Sequence, residues 1–291
     1  MVVTTGFFDG VHIGHRLVIE TLVSAARERG TQSVAVTFWP HPRTVLQDGA
    51  RTLRLLSTLE EKKEMLLSLG VDKVEVLEFT REFSTLDART YLEKYVRDRF
   101  GASTVVLGYD NRFGSGTAGI EDPASAAGIL GLEVLRIAPV VRSGVTVSST
   151  GIRRALSDGR VGEAAGMLGY GYTLKGVVVA GRRMGRSMGF PTANMQLYEP
   201  LKLLPANGVY KTEVEVLGRR FRGITNIGLR PTVGGSGGLT IETNILGFDE
   251  QIYGLDIRLT FIDRIRDEIK FNSLDLLGKQ ITKDRQSWET I

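Results

Sequence analysis

The rhythm of apolar residues changes halfway along this chain, and that change limits the fold more than any single motif does. In the first half, short apolar runs (MVVTTG at 1–6, SVAVTFW at 33–39, KVEVLEF at 73–79, STVVLGY at 103–109, LEVLRIAP at 132–139) alternate with longer stretches. In those stretches, HRLVIETLVSAARERG, STLEEKKEMLLSLG and LDARTYLEKYVRDRFG, apolar residues recur near i, i+3, i+4 and i+7. Strand–helix alternation at this spacing predicts βαβ units, hence an α/β domain with a parallel sheet covered on both faces. After about residue 155, VGEAAGMLGYG reads as one short helix. YTLKGVVVAG, GVYKTEVEVLG, RRFRGITNIG, LTIETNILGF and LDIRLTFIDRI then follow with glycine turns and few helices between them. That spacing predicts a mainly β domain, an antiparallel barrel or sandwich, closed by the terminal helix SLDLLGKQITKDRQSW. The boundary is expected near 155–172, giving domains 1–160 and 161–291.

Composition removes several chemistries. The chain has no cysteine, so disulfides, thiolate catalysis and cysteine-based zinc sites are excluded. Glycine supplies 35 of 291 residues, above the usual ~7%, and points to tight turns and close backbone–ligand approach. No apolar run approaches the ~18 residues of a membrane span, and Gly6 and Asp9 come too early for a signal-peptide core. A cytoplasmic protein with no membrane partner is expected. The net charge of +4 is interspersed rather than striped, which suits anionic small molecules better than nucleic acid.

Two of the three histidines, His12 and His15, fall in GFFDGVHIGHR (6–16), where the first strand ends and a helix begins. Gly6 and Gly10 permit a sharp turn. With a helix starting near Val11, the two imidazoles share a face at its positive end, where free N–H groups favour phosphate. Gly14 keeps that surface low. Neutral imidazoles there can donate to a polyphosphate as charge builds. A metal site would have only His41 as a third histidine, and simple helix capping by Asp9 is the other alternative.

The second dense stretch is GRRMGRSMGFPTAN (181–194). Its glycines and arginines describe a positive loop, and Thr192 and Asn194, two apart on an extended segment, share a side. A hydroxyl and an amide oxygen suit Mg²⁺ carried by phosphates, although a basic surface hairpin has the same composition. No P-loop occurs. Further on, Ile241, Thr243 and Ile245 should share one strand face, leaving Glu242 and Asn244 on the other, by default a solvated one.

These motifs carry a resemblance. His12-Ile13-Gly14-His15 resembles the HIGH motif of nucleotidyltransferases and class I aminoacyl-tRNA synthetases, but a synthetase would need a KMSKS-like loop and a longer chain. GFFDGVHIGH, with HPR (41–43), VLGYDNRFG (106–114) and SSTGIRRAL (148–156) in order, is similar to the adenylyltransferase domain of bacterial bifunctional riboflavin kinase/FAD synthetases. GRxxGFPTAN, GVY (208–210), NIGLRPT (226–232), IETNI (241–245) and FNSLDLLGKQITKD resemble the kinase domain of the same family, so the likeness covers nearly the whole chain.

The resemblance implies a Rossmann-like nucleotidyltransferase fold followed by a six-stranded type of barrel. The implied reactions phosphorylate riboflavin with ATP to FMN, then adenylate FMN with ATP to FAD and pyrophosphate, with Mg²⁺ as cofactor. It implies catalytic roles for His12, His15 and Glu242. Nucleotide or FMN binding falls to Gly6, Phe8, Asp9, Gly10, Gly14, Gly108, Asp110, Phe113, Ser148, Ser149, Thr150 and Arg153. For the kinase it implies Gly181, Gly185, Arg186, Gly189, Phe190, Pro191, Asn226, Arg230 and Arg266, with Thr192 and Asn194 at the metal. Read unaided, Ser148–Thr150 is a helix cap, Phe113 a core residue and Asp110 a turn residue.

Phe7, Val233 and Asn244 depart from common family residues, bearing on local packing and substrate affinity. GGSGG (234–238) reads as a lid or a plain surface loop. Two alternatives are an adenylyltransferase whose barrel only docks or binds flavin, and a nucleotidyltransferase acting on a non-flavin phosphate. A homo-oligomer is compatible with the sequence.

Overall fold

The computed structural model describes residues 1–46, 53–109, 122–181, 189–229 and 238–289. The chain divides into two compact units, Met1–Ser149 and Thr150–Ile291. The division falls at the first turn of α6 (Ser149–Ser157), N-terminal to the boundary read from the rhythm. The reason is local: α6 buries Ile152, Ala155 and Leu156, and the Leu156 carbonyl accepts from Ala206 N in the second unit (2.9 Å).

In the first unit β1 (Val2–Thr5), β2 (Ser33–Trp39), β3 (Lys73–Glu78), β4 (Thr104–Leu107) and β5 (Glu133–Arg136) form a parallel sheet of order β3-β2-β1-β4-β5. Alternate residues of the central strands are buried on opposite faces. Val3, Val34, Val36, Val105 and Leu107 meet α4 (Ala88–Tyr91), its π-helical continuation Leu92–Asp98, and α5 (Pro123–Ile129). Val2, Ala35 and Val106 meet α1 (Ile13–Glu28) and α3 (Leu59–Ser68) through Val18, Ile19, Leu22 and Leu66. Each of the valine, leucine and isoleucine side chains contributes roughly 1.5–3 kcal/mol of burial. Strand order reverses between β1 and β4, so the loop leaving β1 opens at the switch point where open α/β sheets bind ligands. The short α2 (Pro42–Leu46) and the hairpin of β6 (Val141–Arg142) and β7 (Val145–Thr146) complete the unit.

The second unit is a closed barrel of order β10-β11-β12-β9-β8-β13. Its strands are β8 (Thr173–Val179), β9 (Thr192–Leu197), β10 (Gly208–Val216), β11 (Arg219–Leu229), β12 (Leu239–Ile245) and β13 (Asp256–Arg266), all antiparallel. Inside, Thr212, Thr225 and Thr243 share hydroxyl bonds of 2.8 and 2.9 Å, and Tyr210 packs edge-on to Phe261. Helix α7 (Val161–Leu168) packs on β13. Helix α8 (Leu274–Gln286) is tied to the barrel by Arg266 and Asp284, with Trp288 just beyond it donating to Gly223 O (3.1 Å).

Candidate active sites

Between β1 and α1 the backbone takes a costly path. Phe8 (φ 47°), Gly10 (φ 79°) and Val11 (φ 34°) are left-handed, a region that costs a β-branched residue on the order of 1–3 kcal/mol. Side chains from distant segments hold it. The buried Asp9 carboxylate accepts from Leu56 N (3.1 Å), Ser57 N (3.0 Å) and Ser57 Oγ (3.2 Å), while Gly10 N donates to Ser57 Oγ (2.9 Å). Ser149 Oγ donates to Asp9 O (2.9 Å), and Lys62 Nζ to Phe7 O (2.8 Å). Asp9, expected at the nucleotide, thus has its carboxylate turned onto the 56–57 backbone, which offers it N–H donors.

His12 is the N-cap of α1, so the helix begins at Ile13 rather than near Val11. Its Nδ1 accepts from His15 N (3.3 Å), which assigns the proton of the neutral ring to Nε2. The rings stack at 3.6 Å and 17°, and Phe8 meets His15 edge-on. A Cβ on Gly14 would stand 3.2 Å from the His12 ring, so the glycine makes room for it. Burial pulls His12 down to about 4, against the attraction of Asp9. Burial, then the charges of His12 and Lys62, hold His15 well below the usual imidazole range. Both imidazoles are neutral at pH 7. The His15 Nδ1 is buried with no hydrogen-bond partner among the described residues. Gly108 is buried directly after β4, Ser148 leads into α6, and Ser149, Thr150 and Arg153 lie on α6.

On the barrel, Asn194 (β9), Glu242 (β12) and Asn226 (β11) stand opposite one another in one cross-strand row, with Thr192 opposite Asn244 beside it. Ala193, Met195, Ile241, Thr243 and Ile245 are buried, so the row faces outward from the barrel wall. Asn244 is buried too: its Nδ2 donates to Pro191 O (2.8 Å) and its Oδ1 has no partner among the described residues. A pocket of about 200 Å³ is lined by Gly181, Pro191, Thr192 and Asn194 together with Phe248 and Tyr253. The Arg285 guanidinium lies 5.6 Å from the ring centre of Phe190, which follows Gly189 (φ 79°). Asn226 Nδ2 donates to Glu268 Oε1 (3.4 Å). Arg266, expected at the ligand, gives Nε and Nη2 to Asp284 (3.0 and 2.7 Å), a carboxylate 2% exposed. Among the described residues no cluster of three histidine or acidic side chains could hold a metal ion by itself.

Asp110, Phe113, Gly185, Arg186, Arg230 and Val233, and the GGSGG loop before Gly238, lie outside the described residues. Sequence reading passed over Lys62 and Ser57; Asn244, noted as a departure and placed with Glu242 on a strand face expected to be solvated, is instead buried. Lys62 sits in the charge run EEKKE, where nothing separates it from Lys63.

Two phosphate-compatible centres of different make, on two units of one chain, define a nucleotide-dependent transferase with two sites. The sequence model of the FAD synthetase family matches residues 1–151 and that of riboflavin kinase residues 168–291. A bifunctional riboflavin kinase/FMN adenylyltransferase of Listeria monocytogenes is 37% identical over 98% of this chain and 90% of its own length. That of Escherichia coli K12 is 35% identical over 97% and 90%. A crystal structure described as a macrolide-efflux protein of Streptococcus pneumoniae superposes with a TM-score of 0.91 at 32% identity, covering 98% of this chain and 92% of that one. The described residues include no helix long and apolar enough to cross a membrane. The chain belongs to the family of bifunctional riboflavin kinase/FMN adenylyltransferases.

Proposed function

We propose that the enzyme phosphorylates riboflavin at the barrel row and adenylates FMN at the histidine pair, with ATP as co-substrate in both reactions and residues 1–160 and 161–291 as the two catalytic domains. The contrast between a neutral histidine pair in one unit and a carboxylate-centred row in the other carries this assignment.

In AMP transfer an FMN phosphate oxygen bonds the α-phosphorus of ATP, and the bond to pyrophosphate breaks. The attacking phosphate is already ionised near neutral pH, its second pKa being ~6, so no base is needed. His12, whose Nε2 carries the ring proton, and His15 donate to the triphosphate as charge builds. The strained Phe8–Val11 loop sets their direction. Ser148 and Ser149 complete the phosphate grip, and Gly108 opens space beside the flavin.

Riboflavin phosphorylation uses a neutral alcohol, whose proton must leave as its oxygen bonds the γ-phosphorus of ATP and the bond from that phosphorus to ADP breaks. Glu242 accepts it, a role typically worth ~10²–10⁴ in rate. The Thr192 hydroxyl and Asn194 amide oxygen are hard donors suited to Mg²⁺, and the unpaired buried Oδ1 of Asn244 lies in the same part of the sheet. Bound there, Mg²⁺ would offset charge on the phosphates. The pocket between Pro191 and Tyr253 takes the nucleotide. Asn226 lies beside Glu242, while Arg266 acts by holding α8.

Riboflavin, ATP and Mg²⁺ incubated with the protein, with flavins separated by chromatography, test the reading. Wild type should yield FMN and FAD, Glu242→Gln only FAD from supplied FMN, and His15→Ala only FMN. Loss of both activities from either change in a folded protein would sink the two-site assignment.

A further inference from the structure

Lys62 lies on α3 just after the capping box in which Thr58 Oγ1 accepts from Glu61 N and Glu61 Oε2 from Thr58 N. It is 6% exposed, and its Nζ donates to Phe7 O and Thr37 Oγ1, both at 2.8 Å. Both acceptors are neutral. A methionine would match the length of this side chain and spare the cost of burying an ammonium. The charge therefore needs a use, and the groups around it supply one. Asp9 approaches from the β1–α1 loop, and the charge of Lys62 reaches His15 on α1, beside His12. The His41 ring lies 5.3 Å from that of Phe7, tilted by 38°, and Glu61 on the same helix is turned to Thr58 N.

We propose that Lys62 is a positioning residue for AMP transfer: it ties the Phe7 carbonyl to Thr37 beneath the strained loop and sets a fixed positive charge behind the histidine pair. That charge adds to the burial that keeps His15 neutral and to the positive potential of the α1 start, where the transferring phosphate gathers negative charge. This rests on the assignment of AMP transfer to the histidines.

Burial, opposed by Asp9, lowers Lys62 from 10.5 to about 8. Between those values the unfolded chain binds more protons than the folded one, so stability gained there rises with pH. A fall in AMP transfer above pH 8 would then report lost charge rather than unfolding. The neutral amine still donates both hydrogen bonds, which separates charge from tethering.

The test measures FAD formation from FMN and FMN formation from riboflavin on full-length protein from pH 6.5 to 9.5, with thermal melting alongside. Wild-type kcat for AMP transfer should fall above about pH 8 with no loss of melting temperature. Lys62→Arg should remove that limb, Lys62→Met should lower transfer on the order of 10²-fold, and FMN formation should be unchanged in both. If Lys62→Met destroys the fold of the first unit, the wild-type limb and the arginine variant decide. No limb, or Lys62→Met within about threefold of wild type, overturns the proposal; the roughly twofold-to-fivefold scale of a lost charge–dipole contact sets that margin. His15→Ala run in parallel separates the outcomes, because retained transfer there would refute the site assignment itself.

Discussion

The Asn194 side chain fills the space beside Gly181: a Cβ on that glycine would lie 2.6 Å from Asn194 Cγ. Gly181→Ala must therefore push the amide out of the row it shares with Glu242. Riboflavin phosphorylation should drop at least about tenfold, the scale of displacing an oriented group from a reacting phosphate. FAD formation from supplied FMN should be unchanged, and paired assays on one preparation would show the split.

Acid should unfold the first unit through His12. Its folded value of about 4 lies below the 6.5 of a free imidazole, so between these values the unfolded chain binds more protons. The stability tied to His12 is whole above pH 6.5 and is lost as pH falls toward 4, to a total of roughly 3 kcal/mol. Urea unfolding at pH 7 and pH 4.5, with an NMR titration of the ring, would measure both.

Asp9→Asn keeps the shape of the side chain but halves its accepting power and aims an NH₂ at donors from residues 56 and 57. Leaving buried N–H groups unpaired costs about 1–3 kcal/mol, and the Phe8–Val11 loop should relax. AMP transfer should fall while FMN formation persists. An unchanged rate of FAD formation would show that the loop keeps its path without this anchor.

Asp284→Ala removes the partner of a guanidinium that is 17% exposed, so it should cost about 3 kcal/mol and loosen α8 from the barrel. Amide hydrogen exchange along 274–286 should accelerate before that of the barrel strands. Equal protection with and without the carboxylate would assign the docking of α8 to Trp288 instead.

What could be read in advance follows the range of each interaction. The β1–β5 alternation, the Thr192–Asn194 side and the burial of Ile241, Thr243 and Ile245 around Glu242 are local periodicities, and they appear as read. The start of α1 moved by a residue or two because His12 spends its ring nitrogen as a cap, which spacing does not encode. Asp9 with Ser57, Lys62 with Phe7 and Arg266 with Asp284 are pairings between distant segments, so a single sequence gives no sign of them. The two-residue strands β6 and β7 are too short for any period to show.

Because the Asn194–Glu242–Asn226 row is fixed by pairing between neighbouring strands, it is a matter of odd and even positions. One residue inserted in β12 ahead of Glu242 would point the carboxylate into the barrel and send Thr243 out, ending the kinase step while the strands still paired. The histidine pair hangs on a helix start and a tethered loop, where such an insertion changes distance rather than facing. Insertions and deletions should therefore extinguish one activity abruptly and erode the other by degrees.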